Sequence, residues 1–217
     1  MTQNDLIMLV RATLSTLYLA AGTIPCATAL AALLVLLAIS RHRALRWTYA
    51  GLRWLVRGTP LALLALLIYY ALAGNGIAVP PVVAGILVLA IYFSILFAEV
   101  IRGALLAIPR TATDSALSLG LPRMATLTRV ILPMLLRQGL PAYINVCVMA
   151  IKGSSVLSII GVWELTYASR EIIERNLEVF QVLSVAAVLY FLICFGADRC
   201  GRWAEARLAR RGYQTQR

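Results

Sequence analysis

Histidine is nearly missing from this 217-residue chain: His42 stands alone between Arg41 and Arg43. One histidine without a partner leaves no catalytic constellation and no metal site, and it reads as an interfacial surface residue. Cysteine occurs four times, as Cys26, Cys147, Cys194 and Cys200, never as Cys-x-x-Cys. The first three fall inside apolar runs and read as small buried hydrophobes. No glycine-rich phosphate loop ending in Gly-Lys-Ser/Thr is present, which excludes a nucleotide-binding domain of that kind. A membrane-embedded enzyme would need facing carboxylates, a histidine–metal set or a Ser–Lys pair. Only Lys152 with Ser154 or Ser155 is suggestive, and these are adjacent in sequence. Acidic residues are few, nine against twenty basic ones, for a net charge of +11. That excess does not point to nucleic acid, because the basic residues sit beside apolar runs, where they act as topology signals.

Charge of either sign is scarce: 13% of residues are charged and 61% are hydrophobic. The apolar residues come in long runs, and a helix that crosses a bilayer needs about 20 of them. Five runs fit the length, at about 13–40, 55–73, 81–100, 140–162 and 179–197. The chain therefore reads as all-α, a polytopic membrane protein forming a single transmembrane domain over 1–217. The start, Met-Thr-Gln-Asn-Asp, lacks a positive n-region, so the first run reads as a retained span. Pro25 should kink or divide it. Residues 41–57, with Trp47, Tyr49 and Trp54 among arginines, suit a helix lying along the interface. The second span is short, its strictly apolar part running from Thr59 to Ala73, and is expected to recruit Leu52 to Val56. Glu99 and Arg102 close the third span as an ion pair, and Lys152 falls at the middle of the fourth.

Orientation follows from the basic residues. Segments 41–57, 102–137 and 199–217 carry five, five and six Lys/Arg, sixteen of the twenty. These segments alternate along the chain, so they are cytoplasmic, with the N-terminus outside and the C-terminus inside. The opposite loop, 163–178, holds Glu164, Glu171, Glu174 and Glu178. The tail from Arg199 to Arg211 mixes apolar and basic residues and reads as a lipid-surface anchor.

Within the polar interval 102–137, Thr111 to Pro133 reads as a short helix, a stop and a second helix. Thr111 or Thr113 can cap the first, and Asp114 in its first turn complements the dipole. Gly120 suits the position after the C-cap, and Pro122 a new helix start. Met124, Leu127, Ile131 and Met134 or Leu135 would share one face of the second helix. A compact helix bounded by a glycine is a natural knob for a partner's groove.

This stretch resembles the EAA motif of permease subunits in binding-protein-dependent ATP-binding-cassette (ABC) importers. Asp114-Ser115-Ala116 takes the first triplet, Gly120 falls at the right offset, Val130 stands for Ile, and Leu132-Pro133 completes the pattern. Three further segments are similar to the polar amino-acid branch: Arg57-Gly58-Thr59-Pro60-Leu61 with Leu67-Ile68-Tyr69-Tyr70, Glu99-Val100-Ile101-Arg102-Gly103, and Lys152-Gly153-Ser154-Ser155-Val156 with Ser158-Ile159-Ile160-Gly161-Val162. The resemblance covers about residues 13 to 200. One departure stands out: Gly153 occupies the place of an acidic residue usual in that branch.

The resemblance implies a transport subunit in a bacterial inner membrane that hydrolyses nothing itself and holds no cofactor or metal. A second permease subunit, identical or different, would complete the pathway for an amino acid or similar solute. Two cytoplasmic ATPases would bind ATP and magnesium, and an extracytoplasmic binding protein would deliver the solute. Coupling to the ATPase would fall to Asp114, Ser115, Ala116, Gly120 and Leu121. The pathway would be lined by Lys152, Ser154, Ser155 and Glu99, with Lys152 free to attract a carboxylate or to pair with Glu99. Arg57 reads as a topology and headgroup anchor. The alternative is a secondary transporter or channel, which should show inverted repeats between halves; none is visible, and it would leave 111–133 without a purpose.

Overall fold

The apolar runs are helical throughout the computed structural model, which describes residues 2–213, with side chains to 208. The end of the basic tail, 214–217, lies outside the described residues. Helix α1 spans Gln3–Ala38. Its 36 residues make about 54 Å, well beyond the about 30 Å of a bilayer core. It begins ten residues before the expected span because Thr2 and Asp5 form a capping box, Thr2 Oγ1 accepting from the Asp5 N–H while the Asp5 carboxylate accepts from the Thr2 N–H. Pro25 does not divide it. One backbone bond is forfeited there, and packing along α4 holds the helix together.

Helix α2 (Arg43–Gly58) and helix α3 (Leu61–Gly74) meet at a 106° bend. The expected second span, 55–73, is therefore not one straight rod. Pro60 cannot continue a helix, and it drives Thr59 into extended backbone (φ −103°, ψ 128°). Helix α4 (Pro81–Ala107) starts on a proline at its first position and runs seven residues past the expected end. Among the described residues, four helical segments are long and apolar enough to cross a membrane, five if α2 and α3 together make one.

The interval 102–137 is mostly helix rather than loop. Helix α5 is Arg110–Ser118, and α6 (Arg123–Thr126) leads through a π turn, Leu127–Ile131, into α7, Leu132–Gly153. The N-cap of α5 is Pro109, not Thr111 or Thr113, so Asp114 falls beyond the first turn. The wide turn has a local cause. Pro133 cannot donate to the carbonyl four residues back, and the Leu132 N–H bonds Leu127 O instead. This shifts the face read across 124–135 by a residue. After Gly153 the chain tightens into a 3₁₀ helix, Ser154–Ile160, and turns at Gly161 (φ +82°). The span expected at 140–162 is the end of a helical run from Arg123 to Ile160.

The segment 163–178 is not a loop either. Leu165, Ala168, Ser169 and Ile172 recur at helical spacing and bury one face of helix α8 (Leu165–Asn176). Helix α9 (Val179–Tyr213) is the last helix among the described residues. Buried Asp5 pairs with Arg175 at 3.2 Å and accepts from Asn176 at 3.0 Å, so the start of α1 and the end of α8 share one end of the bundle. The Cys26 side chain is exposed on α1, Cys147 half-buried and Cys194 buried, with no disulfide among the described residues.

The core is close-packed where α4 meets the 3₁₀ segment. A Cβ at Gly85 would lie 2.7 Å from Leu157 Cδ1 and 3.3 Å from Val162 Cγ2. Gly85→Val should cost about 1–3 kcal/mol by overpacking, read as a lower thermal midpoint in detergent. An unchanged midpoint would mean that the 3₁₀ turn steps aside freely.

Candidate functional site

Helix α5 stands at the end of the bundle where α4 finishes and α7 begins. Its exit is a Schellman turn: the Gly120 N–H bonds Leu117 O, the Leu121 N–H bonds Ala116 O, and Gly120 sits at φ +78°. Ala116 is buried and anchors the helix, while Asp114, Ser115 and Gly120 are exposed and Leu121 is half-buried. Around them the surface is apolar and basic at once. Leu119 is 81% exposed and Met124 70%, with Arg110, Arg123 and Arg129 beside them. A short helix tipped by bare leucine and ringed by arginines is suited to insertion in a groove with acidic margins.

The second feature is a cleft of about 540 Å³ between α4, α7 and the end of α2. Tyr92, Leu96 and Glu99 line it from α4, Val146 and Met149 from α7, and Arg57 from α2. Lys152 lies one helical step beyond Met149 on the same side of α7 and is exposed. No ion pair of Lys152 occurs among the described residues. Glu99 pairs with Arg57 at 2.6 Å and with Arg53 at 3.7 Å, not with Arg102 as the sequence suggested. The reason is tertiary: α2 presents two arginines four residues apart to the α4 carboxylate. That Arg-x-x-x-Arg spacing was the signal the sequence reading passed over.

The other pathway candidates divide. Ser154 is fully buried and its hydroxyl donates to Ile151 O at 2.7 Å. Ser155 is half-buried and donates to Lys152 O at 2.7 Å. At Gly153 a Cβ would meet the Phe93 ring at 2.9 Å. The ring of Phe93 fills the space a side chain at 153 would need.

At the opposite end of the bundle is a residue whose role sequence reasoning missed. Glu164 is wholly buried as the N-cap of α8, accepting from the Tyr167 N–H at 2.9 Å and from the Tyr190 hydroxyl at 2.7 Å. Tyr190 also meets Thr166 at 3.0 Å, and the Leu165 N–H donates to Thr16 Oγ1 at 3.2 Å. The cluster ties α1, α8 and α9 together. Burial pushes the Glu164 carboxyl above its usual range, against the hydrogen bonds that oppose the shift. An acid raised by folding is better protonated in the native state, so stability falls as pH climbs from the ordinary carboxylate value, about 4.3, through the raised one. Glu164→Gln keeps an acceptor for Tyr167 and should flatten that slope, leaving the thermal midpoint less dependent on pH across the window. A slope equal to that of the unsubstituted protein would assign it to other groups.

No cluster of metal-binding side chains occurs among the described residues. Residues 13–210 match the family described as "Binding-protein-dependent transport system inner membrane component". The chain is 38% identical over 155 residues to the glutamine transport system permease protein GlnP of Escherichia coli (strain K12), covering 70% of this chain and 71% of that protein. It is 31% identical over 182 residues to the L-cystine transport system permease protein TcyB of Bacillus subtilis (strain 168), covering 83% and 78%. Among solved structures, an amino acid ABC transporter crystallised with histidines superposes with a TM-score of 0.85 at 26% identity, over 95% of this chain and all of that one. The MetNI methionine ABC transporter in an inward-facing form superposes at 0.75 and shares the fold at 22% identity, over 93% and 98%.

Proposed function

This chain belongs to the family of binding-protein-dependent transport-system inner membrane components, and from that premise we propose that it is the membrane-spanning subunit of an ATP-driven importer of an amino acid or amino-acid-like solute. Its relatives carry glutamine and L-cystine in their names. Lys152, three residues past the cleft-lining Met149 and without an ion pair among the described residues, and the Arg57–Glu99 pair in the cleft suit a zwitterion, whose carboxylate and ammonium need opposite charges.

The observation that carries the reading is α5. It hangs between α4 and α7, joined to the first through Ile108-Pro109 and to the second through the helical run from Arg123. Proline holds the first joint stiff. A push on the bare Leu119 tip would thus move the two helices that flank the cleft, opening or closing it without any chemistry in this chain. The motor is a pair of cytoplasmic ATPases holding ATP and magnesium. A second permease subunit completes the pathway, and a solute-binding protein works on the far side. The excess of Lys/Arg in 41–57, 102–137 and 199–217 supports an orientation with the N-terminus outside the inner membrane and with α5 and the C-terminus in the cytoplasm.

The test is twofold. The chain should co-purify with an ATP-binding-cassette subunit, and the complex in vesicles should take up amino acid only with ATP and the binding protein present. In a cysteine-free background, Asp114→Cys should react with an impermeant maleimide only from the cytoplasmic face. Labelling from the outer face, or uptake without any ATPase, would overturn the assignment.

A further inference from the structure

We propose that the elbow between α2 and α3 is a binding site for the phosphate of an anionic phospholipid, held between Arg53 and Arg57 in competition with Glu99. This rests on the reading above only in placing α2 at the headgroup layer.

The site begins with a charge imbalance. Arg53 and Arg57 both pair with one carboxylate, Glu99, and Arg102 stands with Arg53 and Glu99 around Tyr49, an excess of two positive charges. Behind them Tyr49 is 95% buried, by its exposure of 5%, and stands in the field of Glu99, Arg102 and Arg53. Its hydroxyl and the Arg102 side chain lie within reach of each other, yet neither the hydroxyl nor the Arg102 Nε makes a hydrogen bond of ordinary geometry. An arginine cluster with one counter-ion is short of an anion. The helix ends do not cancel the excess. The C-terminal dipole of α2 opposes an anion, but the N-terminus of α3 faces the same elbow with no side-chain cap, and the two offset.

The shape fits a lipid better than a free ion. A pocket of about 370 Å³ is lined by Arg53, Trp54, Arg57 and Gly58. Arg53 stacks over the Trp54 ring at 5.7 Å, and nothing stands within 4 Å of the place a Gly58 side chain would take. Trp54 is 72% exposed and Leu55 65%, so an apolar face borders the cationic one. A phosphodiester needs both: two guanidinium forks for the phosphate and an indole against the start of the acyl chains. Arg57 is exposed enough that its ion pair with Glu99 is an exchangeable one, which a phosphate can replace.

The experiment uses the full chain with Trp47, Trp163 and Trp203 replaced by Phe, leaving Trp54 as the only tryptophan, in phosphatidylcholine nanodiscs. Brominated phosphatidylglycerol should quench Trp54 at lower mole fraction than brominated phosphatidylcholine, by about fivefold for each arginine engaged. Arg53→Gln with Arg57→Gln should abolish the preference, and Glu99→Gln should strengthen it by freeing both arginines, an opposite change that misfolding does not produce. Replacing Arg41, Arg43 and Arg46 by Gln, at and just before the start of the same helix and away from the pocket, should leave the preference in place. Equal quenching by the two lipids, or loss in that triple variant as complete as in the pocket variant, would overturn the proposal. Reversal by millimolar inorganic phosphate would overturn it in favour of a free-anion site. None of these readouts involves the ATPase, so coupled uptake can fail while lipid selectivity survives, and the reverse.

Discussion

Gly120→Val is expected to abolish ATP-driven uptake while the protein still inserts in the membrane at its usual level. The reason is the backbone, not space. Nothing lies within 4 Å of where a Cβ at 120 would stand, but the residue is held at φ +78°. An L-residue in that region costs about 1–2 kcal/mol, and a β-branched one sits at the upper end. Such a cost lowers the ratio of the native turn to its alternatives by about 5–30-fold. The turn carries the bonds from Gly120 to Leu117 O and from Leu121 to Ala116 O, so its loss re-aims α5 and the exposed Leu119. Gly120→Asn is the control, because asparagine tolerates left-handed backbone and should retain most of the uptake. The measurement is uptake in vesicles beside ATPase activity of the assembled complex, with Val cutting transport far below ATP turnover. Equal uptake by the Val and Asn variants would remove α5 from the coupling role.

Lys152→Met should lower uptake by about 10–100-fold, the loss of one charged hydrogen bond worth about 1.5–3 kcal/mol. Lys152 is exposed three residues past the cleft-lining Met149, and no ion pair of it occurs among the described residues. An ammonium at membrane depth costs at least about 2.5 kcal/mol. Removing it should therefore leave thermal stability equal or higher, which separates a substrate role from a structural one. Lys152→Arg keeps the charge and should keep part of the transport. For an amino-acid amide, which has no carboxylate, Lys152→Met and the unsubstituted protein should compete equally. A destabilised Met variant with unaltered discrimination between acid and amide would make Lys152 a structural residue instead.

The Gly153–Phe93 packing bears on the same cleft. The sequence marked Gly153 as a departure from the resembling branch. In the structure a Cβ at 153 would meet the Phe93 ring at 2.9 Å. An acid added there would have to displace the ring, so no carboxylate from this position reaches Lys152.

Some of this architecture was legible because it depends on neighbours in sequence. Apolar runs of about 20 residues form helices when they cross a bilayer, whereas the bend at Pro60, although equally local, went unread and divides the expected second span. The turn at Gly120 is closed by bonds spanning only five residues. Other errors were also local. The capping pair Thr2 and Asp5 went unread, so α1 was cut short, and Pro133 was read as the end of a motif but not as the cause of a π turn. The polar 163–178 segment hid a helix because its charges mask four buried positions, Leu165, Ala168, Ser169 and Ile172.

What the sequence determined by itself was the membrane class, the helical make-up and the position of a short helix closed by a left-handed glycine, since each follows from chemistry within a few turns of one helix. Only the tertiary structure decided who pairs with whom. Glu99 takes Arg57, 42 residues away, over Arg102 on its own helix, and Asp5 takes Arg175, 170 residues away. Burial and charge pairing depend on which surfaces meet when helices pack, and packing partners across such separations leave no periodic trace in a single chain.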